Sequence, residues 1–555
     1  MSPRGEGTPG SPRADDSAPG GPREASRASA SVGRRALDYG AYGACAALAA
    51  AYLALVWGWA PAYLALTFDD SFYYLQIARN VARGLGPSFD GVEPTNGFHP
   101  LWLAAFAALA RAGPADVAPL MRAALSAQIA LVGLGTWALA RAPWARPGAV
   151  ALATALVFAH SDAARVVVNG QESALHYALL AGLVAFGAGG RAWSSDRRAA
   201  ASGLWMGLAL LNRSDALLAL AAWVAPALAR RGRGGPDAPA LRPAERARRL
   251  ALGTSLALAP LGLYALWSAA RFGHAASVSG AIKYGGLFYP PYARRWWLPA
   301  LTAAALALGA TALGRRAGEA GEAGEAGEAG QARADAAAGQ ADAAAGQADA
   351  AAGRAGRARA DAYSSLTLLV SYGALQWALT YAARGELVPD PWYLVPGLLA
   401  VVVALALALG RAGGPGRAAA PLAALGLAAA LGGWARRLDP GAYALADAYR
   451  RAAAWLRAAP AGAGRAAGWD CGVAGAHFDG RLSNLDGLVA SWAYQENYLA
   501  PGRVGAFLDE AGVGAIVQHF GRRELEPTGW FVGVDLARWR VAHAECVTLR
   551  LATRP

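Results

Sequence analysis

The chain has 555 residues, of which 55% are hydrophobic, and its formal net charge is +13. Several apolar runs are about 20 residues long, which is enough for a helix to span the roughly 30 Å hydrocarbon core of a membrane. Because backbone polar groups must pair inside lipid, these runs predict a polytopic helical membrane protein. The arginines gather beside the apolar runs, and nothing resembles a base-reading module, so we predict no nucleic-acid partner.

The N-terminal region sets the predicted orientation. Residues 1–36 are rich in Pro, Gly, Ser and Arg and predict a disordered cytoplasmic tail. The first apolar run, from about Tyr39 to Leu66, is too long for the hydrophobic region of a signal peptide. Arg34 and Arg35 precede this run, and positive residues favour the cytoplasmic side. We therefore expect the first span to leave the cytoplasm and the loop 67–97 to lie outside.

Further apolar segments follow along the chain, and with the first run they predict roughly 10–13 membrane segments. They lie near 98–110, 117–140, 148–160, 174–190, 200–211, 215–229, 250–270, 298–314, 363–383, 392–410 and 418–434. Two modules result, 37–316 and 363–434. The polar residues between 211 and 215 predict either a broken helix or a re-entrant hairpin, which is tolerated only where it lines a polar cavity.

Basic residues assign sides to the segments. The stretch 230–249 holds seven arginines against two acidic residues, so we expect it to be cytoplasmic. The stretch 271–297 is then outside. Counting 98–110, 117–140 and 148–160 as three crossings places Glu172 inside, whereas counting back from 230–249 places it outside. The charge excess at 230–249 is the stronger signal, so we expect one short segment not to cross fully.

Two regions lie outside the membrane modules. Residues 317–362 repeat Gly-Glu-Ala and Ala-Asp-Ala-Ala-Ala-Gly-Gln units with no apolar stripe, which predicts a disordered cytoplasmic insertion. Residues 435–555 alternate short apolar runs with helix-like stretches and predict a small extracytoplasmic α/β domain. Its two cysteines, Cys471 and Cys546, are either a disulfide or two free thiols. Cys45 in the first span is predicted to be a packing residue.

A polar, acidic and aromatic loop joins the first two apolar segments. Asp69 and Asp70 follow the first run directly, and adjacent charges beside a membrane core are costly unless they are used. We predict that Asp69 acts as a general base and that Asp70 caps a helix over 71–83. A carboxylate fixed at a lipid–water boundary suits an enzyme whose substrate has a lipid tail and a polar head.

The block Phe68–Trp102 resembles the first external loop of the GT-C superfamily of polytopic glycosyltransferases, which includes protein O-mannosyltransferases, aminoarabinose transferases and bacterial lipopolysaccharide glycosyltransferases. The matching residues are Asp69-Asp70, Tyr73-Tyr74, Arg79-Asn80, Phe89-Asp90-Gly91 and Thr95-Asn96-Gly97-Phe98-His99-Pro100-Leu101-Trp102, with weaker pieces at 169–175, 212–216, 279–283, 392–396 and 484–488. The resemblance implies transfer of a sugar from a polyprenyl-phosphate carrier to an acceptor at the external face. It also implies that a carboxylate in this loop acts as base or orients the acceptor.

Five further residues are predicted to bind substrate, and four of them also have an ordinary structural alternative. They are Glu172 (orienting sugar or acceptor, or pairing with a helix dipole), Lys283 (holding the lipid phosphate, or solvated), Arg213 (holding the phosphate, or pairing with Asp215), His99 (binding a sugar hydroxyl, or capping) and Asn96. Adjacent carboxylates also suit a divalent metal, with Asp90 as a further ligand, so metal binding stays open.

The sequence therefore predicts a multi-pass glycosyltransferase of a bacterial inner membrane. Its partners would be a polyprenyl-phosphate-linked sugar donor, a cell-envelope acceptor (glycan, lipid or protein) and the lipid bilayer. One alternative is a transporter or flippase of a lipid-linked or anionic substrate, which would place charges and broken helices near the bilayer midplane. Another is a non-catalytic scaffold whose exported tail is the working part.

Overall fold

The computed structural model describes most of the membrane module and much of the C-terminal domain. The described residues are 22–187, 192–229, 242–284, 362–378, 390–411, 432–458, 465–478, 480–519, 531–540 and 546–553. The predicted segment 298–314 and the predicted disordered insertion, apart from residue 362, lie outside them. So do most of the segment 418–434 and the first part of the N-terminal tail.

The first part of the chain forms helices joined by short turns. They are α1 (Pro22–Gly58), α2 (Ala62–Ala65), α3 (Asp69–Ala82), α4 (Pro100–Ala112), α5 (Val117–Ala140), α6 (Pro147–Ala159), α7 (Ser161–Val167), α8 (Ser173–Gly182), α9 (Asp196–Asn212), α10 (Leu217–Ala229), α11 (Pro243–Phe272), α12 (Val278–Tyr284), α13 (362–378) and α14 (Val395–Arg411). A π-helical turn at Leu183–Gly187 extends α8, and a 3₁₀ turn at Pro391–Leu394 precedes α14.

Helix α1 corrects the prediction of a disordered tail for residues 22–36, which are the part of 1–36 that the structure describes. The helix begins at Pro22, and proline suits the first helical position because its fixed φ matches the helix. Residues 22–36 are mostly Ala, Arg, Ser and Glu, among which Ala, Arg and Glu are good helix formers. At the other end, α1 stops at Gly58, and the rest of the predicted first run folds separately as α2.

The helices confirm a polytopic membrane protein, although many are shorter than predicted. Among the described residues, four stretches are long and apolar enough to cross a membrane: Asp38–Gly58, Val117–Ala140, Pro243–Phe272 and Pro391–Leu409. Helices α6 and α7 together are a fifth candidate, bent by 102° at their junction. Shorter apolar helices, such as α4 and α8, account for other predicted segments.

Helix α4, the predicted segment 98–110, begins and ends on the same side of the molecule. Its first residue follows His99, just after the loop 67–97, and only a short turn separates its end from α5. The start of α5 lies at the loop end of α1, because Arg122 donates a hydrogen bond of 2.9 Å to the Ala60 carbonyl. At 13 residues, α4 is also too short to span the bilayer core. It is the short segment that does not cross.

The contacts of α6 place Glu172 on the loop side. Gly148 at the start of α6 packs against Asp38, which begins the membrane-length stretch Asp38–Gly58 of α1 at the end away from the loop. At its other end, the Phe158 carbonyl accepts a 2.6 Å hydrogen bond from Tyr52. Helices α5 and α6 therefore run in opposite directions, and the turn before α8 returns to the loop, where Tyr74 contacts Glu172.

The interruption between α9 and α10 is the tip of a helical hairpin. The start of α9 lies beside the start of α11, where Asp196 pairs with Arg248. Helix α10 returns toward the same end, because its Trp223 ring lies 4.4 Å from that of Trp193. The tip at 212–216 is therefore at the opposite end, next to the loop 67–97.

The C-terminal region confirms the prediction of a small α/β domain. Its elements are α15 (432–438), α16 (Ala444–Ala458), β1 (Arg465–Gly468), α17 (Gly472–His477), β2 (Arg481–Asn484), α18 (Trp492–Tyr494), α19 (Val504–Glu510), β3 (Ala515–His519), β4 (Phe531–Arg540) and β5 (Cys546–Thr553). The sheet order is β2-β1-β3-β5-β4. Strands β2, β1 and β3 are parallel, whereas β5 is antiparallel to both β3 and β4.

The domain docks directly on α3 and on the loop that follows it. Arg79 of α3 donates a hydrogen bond of 2.7 Å to the Ala476 carbonyl of α17. The approach at Gly97 is close enough that an added Cβ would lie 1.9 Å from the Leu488 carbonyl oxygen, so only glycine fits there. The loop and the domain therefore lie on one side of the molecule.

Candidate active site

A polar cleft opens where the ends of the membrane helices meet the loop and the domain. Its empty volume is about 710 Å³, part of which is open to solvent. Sequence-distant segments contribute its polar walls, which include Asp70, Tyr74, His99, Glu172, Arg213, Asp215, Ser277, Ser279, Lys283, Trp392 and Tyr393. The cleft thus brings together Asp70, Glu172, Lys283, Arg213 and His99, all of which the sequence singled out.

The two adjacent aspartates point to different places. Both lie in the first turn of α3, and consecutive helical residues do not share a face. Asp70 lines the cleft. Asp69 faces the domain, where its carboxylate accepts hydrogen bonds of 2.7 and 2.9 Å from the backbone N–H groups of Gly472 and Val473. Asp69 therefore ties α3 to the start of α17.

The structure corrects the prediction that Asp70 caps α3. The N-cap position belongs to Phe68, so Asp70 lies inside the helix and does not cap it. The Phe68 N–H donates a 3.3 Å hydrogen bond to the Ser71 hydroxyl, so this backbone group at the start of the helix has a partner. Ser71 also donates a 2.5 Å hydrogen bond to the Asn169 carbonyl. The side chain of Asp70 is left free to face the cleft.

Burial sets the acid–base character of both aspartates. Burial raises the pKa of Asp69 to about 7, against the lowering effect of the Val473 and Gly472 N–H groups. Burial also raises the pKa of Asp70, while the nearby Lys283 ammonium lowers it. A carboxylate with a raised pKa binds a proton more strongly, which suits a general base.

Lys283 forms an ion pair with Asp70 in the cleft. Its Nζ lies 3.6 Å from the Asp70 carboxylate and 5.5 Å from the centre of the Trp392 ring. Both side chains of the pair remain partly exposed to the cleft. A positive charge held beside a carboxylate and open to the cleft is suited to an anionic group such as phosphate.

Glu172 and Arg213 form the buried second charge centre of the cleft. Arg213 donates at 2.6 Å to Glu172 and binds the Asp215 carboxylate through Nε at 3.1 Å and Nη2 at 2.8 Å. Its guanidinium also lies 5.0 Å from the centre of the Tyr393 ring. Burial would raise the pKa of Glu172, but His99 and Arg213 hold it well below its ordinary value. This centre is therefore a fixed ion cluster at neutral pH.

His99 joins this cluster to α3. The Tyr74 hydroxyl makes a short hydrogen bond with His99 Nδ1 and lies 3.1 Å from Glu172 Oε2. His99 Nδ1 itself lies 3.4 Å from Glu172, and about a third of the His99 side chain is exposed. The exposed part of the ring faces a wall of the cleft, where it is accessible to a polar ligand.

Asn96 does not line the cleft, although the sequence suggested that it binds substrate. Its amide donates to Ser268 Oγ at 2.9 Å and to the Ala276 carbonyl at 2.8 Å. Its oxygen accepts from the Val278 N–H and from Trp492 Nε1. These bonds tie the loop to α11, α12 and the domain at once. The residue therefore positions Lys283, which lies on α12, without facing the cleft itself.

The sequence left open whether the chain binds a divalent metal and whether Cys471 and Cys546 form a disulfide. Within the described ranges, no three His, Cys, Asp or Glu side chains gather in a way that could hold a metal ion. Cys471 is a buried free thiol, and the side chain of Cys546 lies outside the described residues. Cys45 is a half-buried free thiol in α1, in keeping with a packing role.

The sequence alone did not single out Tyr73 as a link between the loop and the domain. Its hydroxyl donates at 3.0 Å to the Asp486 carboxylate and accepts from the Asn484 amide and the Cys471 N–H. Both Tyr73 and Asn484 occur in motifs that the resemblance matched. Their separation of 411 residues concealed the contact.

No protein-family model and no curated protein sequence matches this chain. Among solved structures, the chain is similar to the crystal structure of ArnT from Cupriavidus metallidurans in the apo state, with 14% sequence identity and a TM-score of 0.40. The similarity covers 91% of this chain and 97% of that chain. Because the identity and the TM-score are both low, the function of the cleft has to be argued from its own residues.

Proposed function

We propose that this chain is a membrane glycosyltransferase, which moves a sugar from a polyprenyl-phosphate donor to a cell-envelope acceptor at the external face of a bacterial inner membrane. The observation that carries the proposal is the Asp70–Lys283 pair, 3.6 Å apart, in a cleft at the ends of membrane helices. The resemblance of the block Phe68–Trp102 to GT-C enzymes supports the same function.

In the proposed reaction, Asp70 is the general base. An acceptor hydroxyl donates a hydrogen bond to the Asp70 carboxylate, and its oxygen attacks the anomeric carbon of the donor sugar. The bond from that carbon to the phosphate oxygen breaks, and Asp70 takes the hydroxyl proton. As charge develops on the sugar, it becomes oxocarbenium-like, and a nearby carboxylate stabilises it. A single displacement of this kind inverts the anomeric configuration.

Lys283 is proposed to hold the phosphate of the donor. The leaving phosphate gains negative charge as the sugar bond breaks, and a fixed cation stabilises that charge. Lys283 is better suited to this task than Arg213, because both carboxylates beside Arg213 already occupy its guanidinium. The Trp392 ring restricts where the Lys283 ammonium can lie. The donor phosphate would therefore sit between Lys283 and the reacting sugar.

The buried cluster is proposed to orient the sugar. Arg213 fixes Glu172, which in turn contacts His99 and Tyr74. The exposed part of the His99 ring offers a polar contact for a sugar hydroxyl. Asp69 is a positioning residue in this scheme, because its bonds to α17 fix the start of α3 and so the direction of Asp70.

One assay separates this proposal from transport. The purified chain in lipid nanodiscs is incubated with a panel of radiolabelled polyprenyl-phosphate sugars and an extract of cell-envelope glycans. We expect release of the free polyprenyl phosphate together with labelled glycan. Nanodiscs have no enclosed compartment, so a transporter would leave every donor intact. Intact donors across the panel would contradict the proposal.

A further inference from the structure

A second cleft lies between the loop 67–97 and the C-terminal domain. Its empty volume is about 930 Å³, part of which is open to solvent. The loop contributes Phe89, Asp90 and Glu93, and the domain contributes the rest of the wall. Val489 lines both this cleft and the first one. The two clefts therefore adjoin on either side of the segment that contains Val489.

Three aromatic rings form one wall of the second cleft. The rings of Tyr494 and Phe507 have centres 4.6 Å apart, and those of Tyr498 and Phe507 are 5.3 Å apart. Tyr498 is only partly buried, and its hydroxyl donates a 2.6 Å hydrogen bond to Glu510. The ring is therefore held in place while part of it stays open. A fixed ring with a polar edge offers an apolar face and a hydrogen-bonding rim to the same ligand.

The charged groups of the second cleft pair with one another. Three carboxylates line it, from Asp90, Glu93 and Glu510, together with the guanidinium of Arg465. Arg481 lies 2.9 Å from Asp90 and 3.2 Å from Glu93, and Arg503 lies 4.0 Å from Glu510. Arg465 is already engaged, because its Nε donates at 2.9 Å to Ser483 and its Nη2 lies 3.8 Å from Asp90. A phosphate or an acidic lipid headgroup would have to displace a carboxylate from its arginine partner. The donor phosphate therefore belongs in the first cleft, not in this one.

The walls are equally unsuited to a lipid chain. Apart from the aromatic rings, the apolar wall residues are Val489 and three alanines, so a long acyl chain would find little matching surface. Polar groups lie between them instead, including Ser491 and Asn497. Asn497 is exposed, and its side-chain amide makes no hydrogen bond to other described residues. An open amide beside a fixed aromatic face and carboxylates is suited to a neutral ligand with many hydroxyls.

We propose that this second cleft binds a neutral saccharide, which is the glycan part of the acceptor. The sugar stacks on the open face of Tyr498, and its hydroxyls bind Asn497 and the carboxylates Glu93 and Glu510. The end of the saccharide then passes Val489 into the first cleft and presents its terminal hydroxyl to Asp70. The acceptor role rests on the proposed glycosyl transfer, whereas saccharide binding by itself does not.

The test measures binding separately from transfer. The full chain in nanodiscs, without donor, is titrated with four neutral trisaccharides: maltotriose, mannotriose, galactotriose and N-acetylchitotriose. Binding is followed by saturation-transfer difference NMR. We expect at least one trisaccharide to bind, and Tyr498→Ala to weaken that binding about tenfold through loss of the stacking face. Tyr498→Phe keeps the ring and should retain most of the binding.

Controls and contrary outcomes complete the test. Arg451→Ala, at an exposed position on α16 away from the cleft, should bind as the parent does. If none of the four trisaccharides binds the parent, or if Tyr498→Ala binds as the parent does, the second cleft is not a saccharide site. If Tyr498→Ala loses binding but transfers sugar to glycan at the parental rate, the acceptor role is wrong. A parent that binds saccharide but transfers nothing contradicts only the proposed function.

Discussion

Neighbouring residues in this chain have separate tasks because helix geometry turns them apart. Successive side chains on a helix are about 100° apart, so Asp69 and Asp70 cannot face the same group. Asp69 is bonded to the backbone of Gly472 and Val473, while Asp70 faces Lys283. The motif of two aspartates thus joins an anchoring residue to the proposed general base. The base predicted from the sequence, Asp69, is better placed as the anchor.

The anchoring role of Asp69 predicts a particular pH dependence of stability. The pKa of Asp69 is about 7 in the folded chain, against an ordinary value of about 3.9 in an unfolded chain. Between these values the folded state holds a proton that the unfolded state has lost. Stability should therefore fall as pH rises from about 4 to 7. Asp69→Asn does not titrate, so its thermal unfolding temperature should fall less over this range.

A second prediction for Asp69 concerns its hydrogen bonds to the two backbone N–H groups of the domain. The asparagine amide presents N–H donors to one of the two backbone N–H groups, so Asp69→Asn should lose about 1–3 kcal/mol of stability at low pH. The effect is measured by thermal unfolding in detergent at pH 4 to 8. Parallel pH profiles for parent and variant would show that Asp69 titrates as an ordinary surface aspartate.

Lys283 makes a separable prediction at the same scale. Lys283→Ala should weaken donor binding, because its proposed partner is the phosphate in the ground state as well as in the transition state. We expect the donor dissociation constant to rise about tenfold, the equivalent of about 1.4 kcal/mol. Equilibrium binding of a polyprenyl-phosphate sugar to the variant in nanodiscs measures it. Lys283→Arg keeps the charge and should bind more tightly than Lys283→Ala. Unchanged donor binding in Lys283→Ala would place the phosphate elsewhere.

The sequence identified most of the charged residues of the cleft but not their contacts with one another. Asp70, Glu172, Arg213, Lys283 and His99 were all singled out, because charged groups beside apolar helices are rarely tolerated without use. The pairing of Arg213 with Asp215 was one of the alternatives that the sequence offered. The different surroundings of the two aspartates were not predictable, because the contact of Asp69 is with a domain residue 403 positions away in the chain.

At the scale of elements, length decides which apolar segment crosses the membrane. The apolar runs identified helices correctly over much of the described chain, including α5 and α11. It did not show that α4 stays on one side, because a helix of 13 residues is apolar enough to be buried without crossing. What places the end of α4 on the loop side is a tertiary contact, the hydrogen bond from Arg122 of α5 to the Ala60 carbonyl. Such contacts have no local sequence signature.

The packing of α9 against α11 depends on a close approach of two backbones. A Cβ added at Gly203 would lie 2.3 Å from the Gly253 carbonyl oxygen, so a methyl group there must push the helices apart. Small residues at helix contacts allow this approach in membranes. We expect Gly203→Ala to cost about 1–3 kcal/mol of stability through overpacking.

The control for this prediction is on α11 itself. A Cβ at Gly262 would meet nothing within 4 Å, so Gly262→Ala should be neutral or stabilising through better helix propensity. Both variants are compared by thermal unfolding in the same detergent. If Gly203→Ala unfolds at the same temperature as Gly262→Ala, the two helices are not in such close contact.

At the scale of the whole molecule, α3 couples the membrane helices to the domain. It contacts the domain through Asp69, Tyr73 and Arg79, and the cleft through Asp70 and Tyr74. The docking of loop on domain requires that the two share one side of the membrane. The excess of arginine at 230–249 favours the outside for that shared side.

Cysteine labelling tests the orientation. Single cysteines at the exposed positions Leu85 and Arg503, in a background without the native cysteines, should both react with a membrane-impermeant maleimide in intact cells. A cysteine at Gly234 should react only after the membrane is opened. Labelling of Gly234→Cys in intact cells, with Leu85→Cys and Arg503→Cys protected, would invert the proposed orientation.

The central claim, transfer of sugar with Asp70 as the base, is tested most directly by single-turnover transfer with Asp70→Asn. The substitution keeps size and removes the proton acceptor, and loss of a general base typically slows a reaction about 10²–10⁴-fold. We expect the transfer rate from a pre-bound polyprenyl-phosphate sugar to fall by that factor, while donor binding stays near parental strength. Asp69→Asn should retain more of the parental rate. Transfer by Asp70→Asn at the parental rate would contradict the assignment of Asp70 as base.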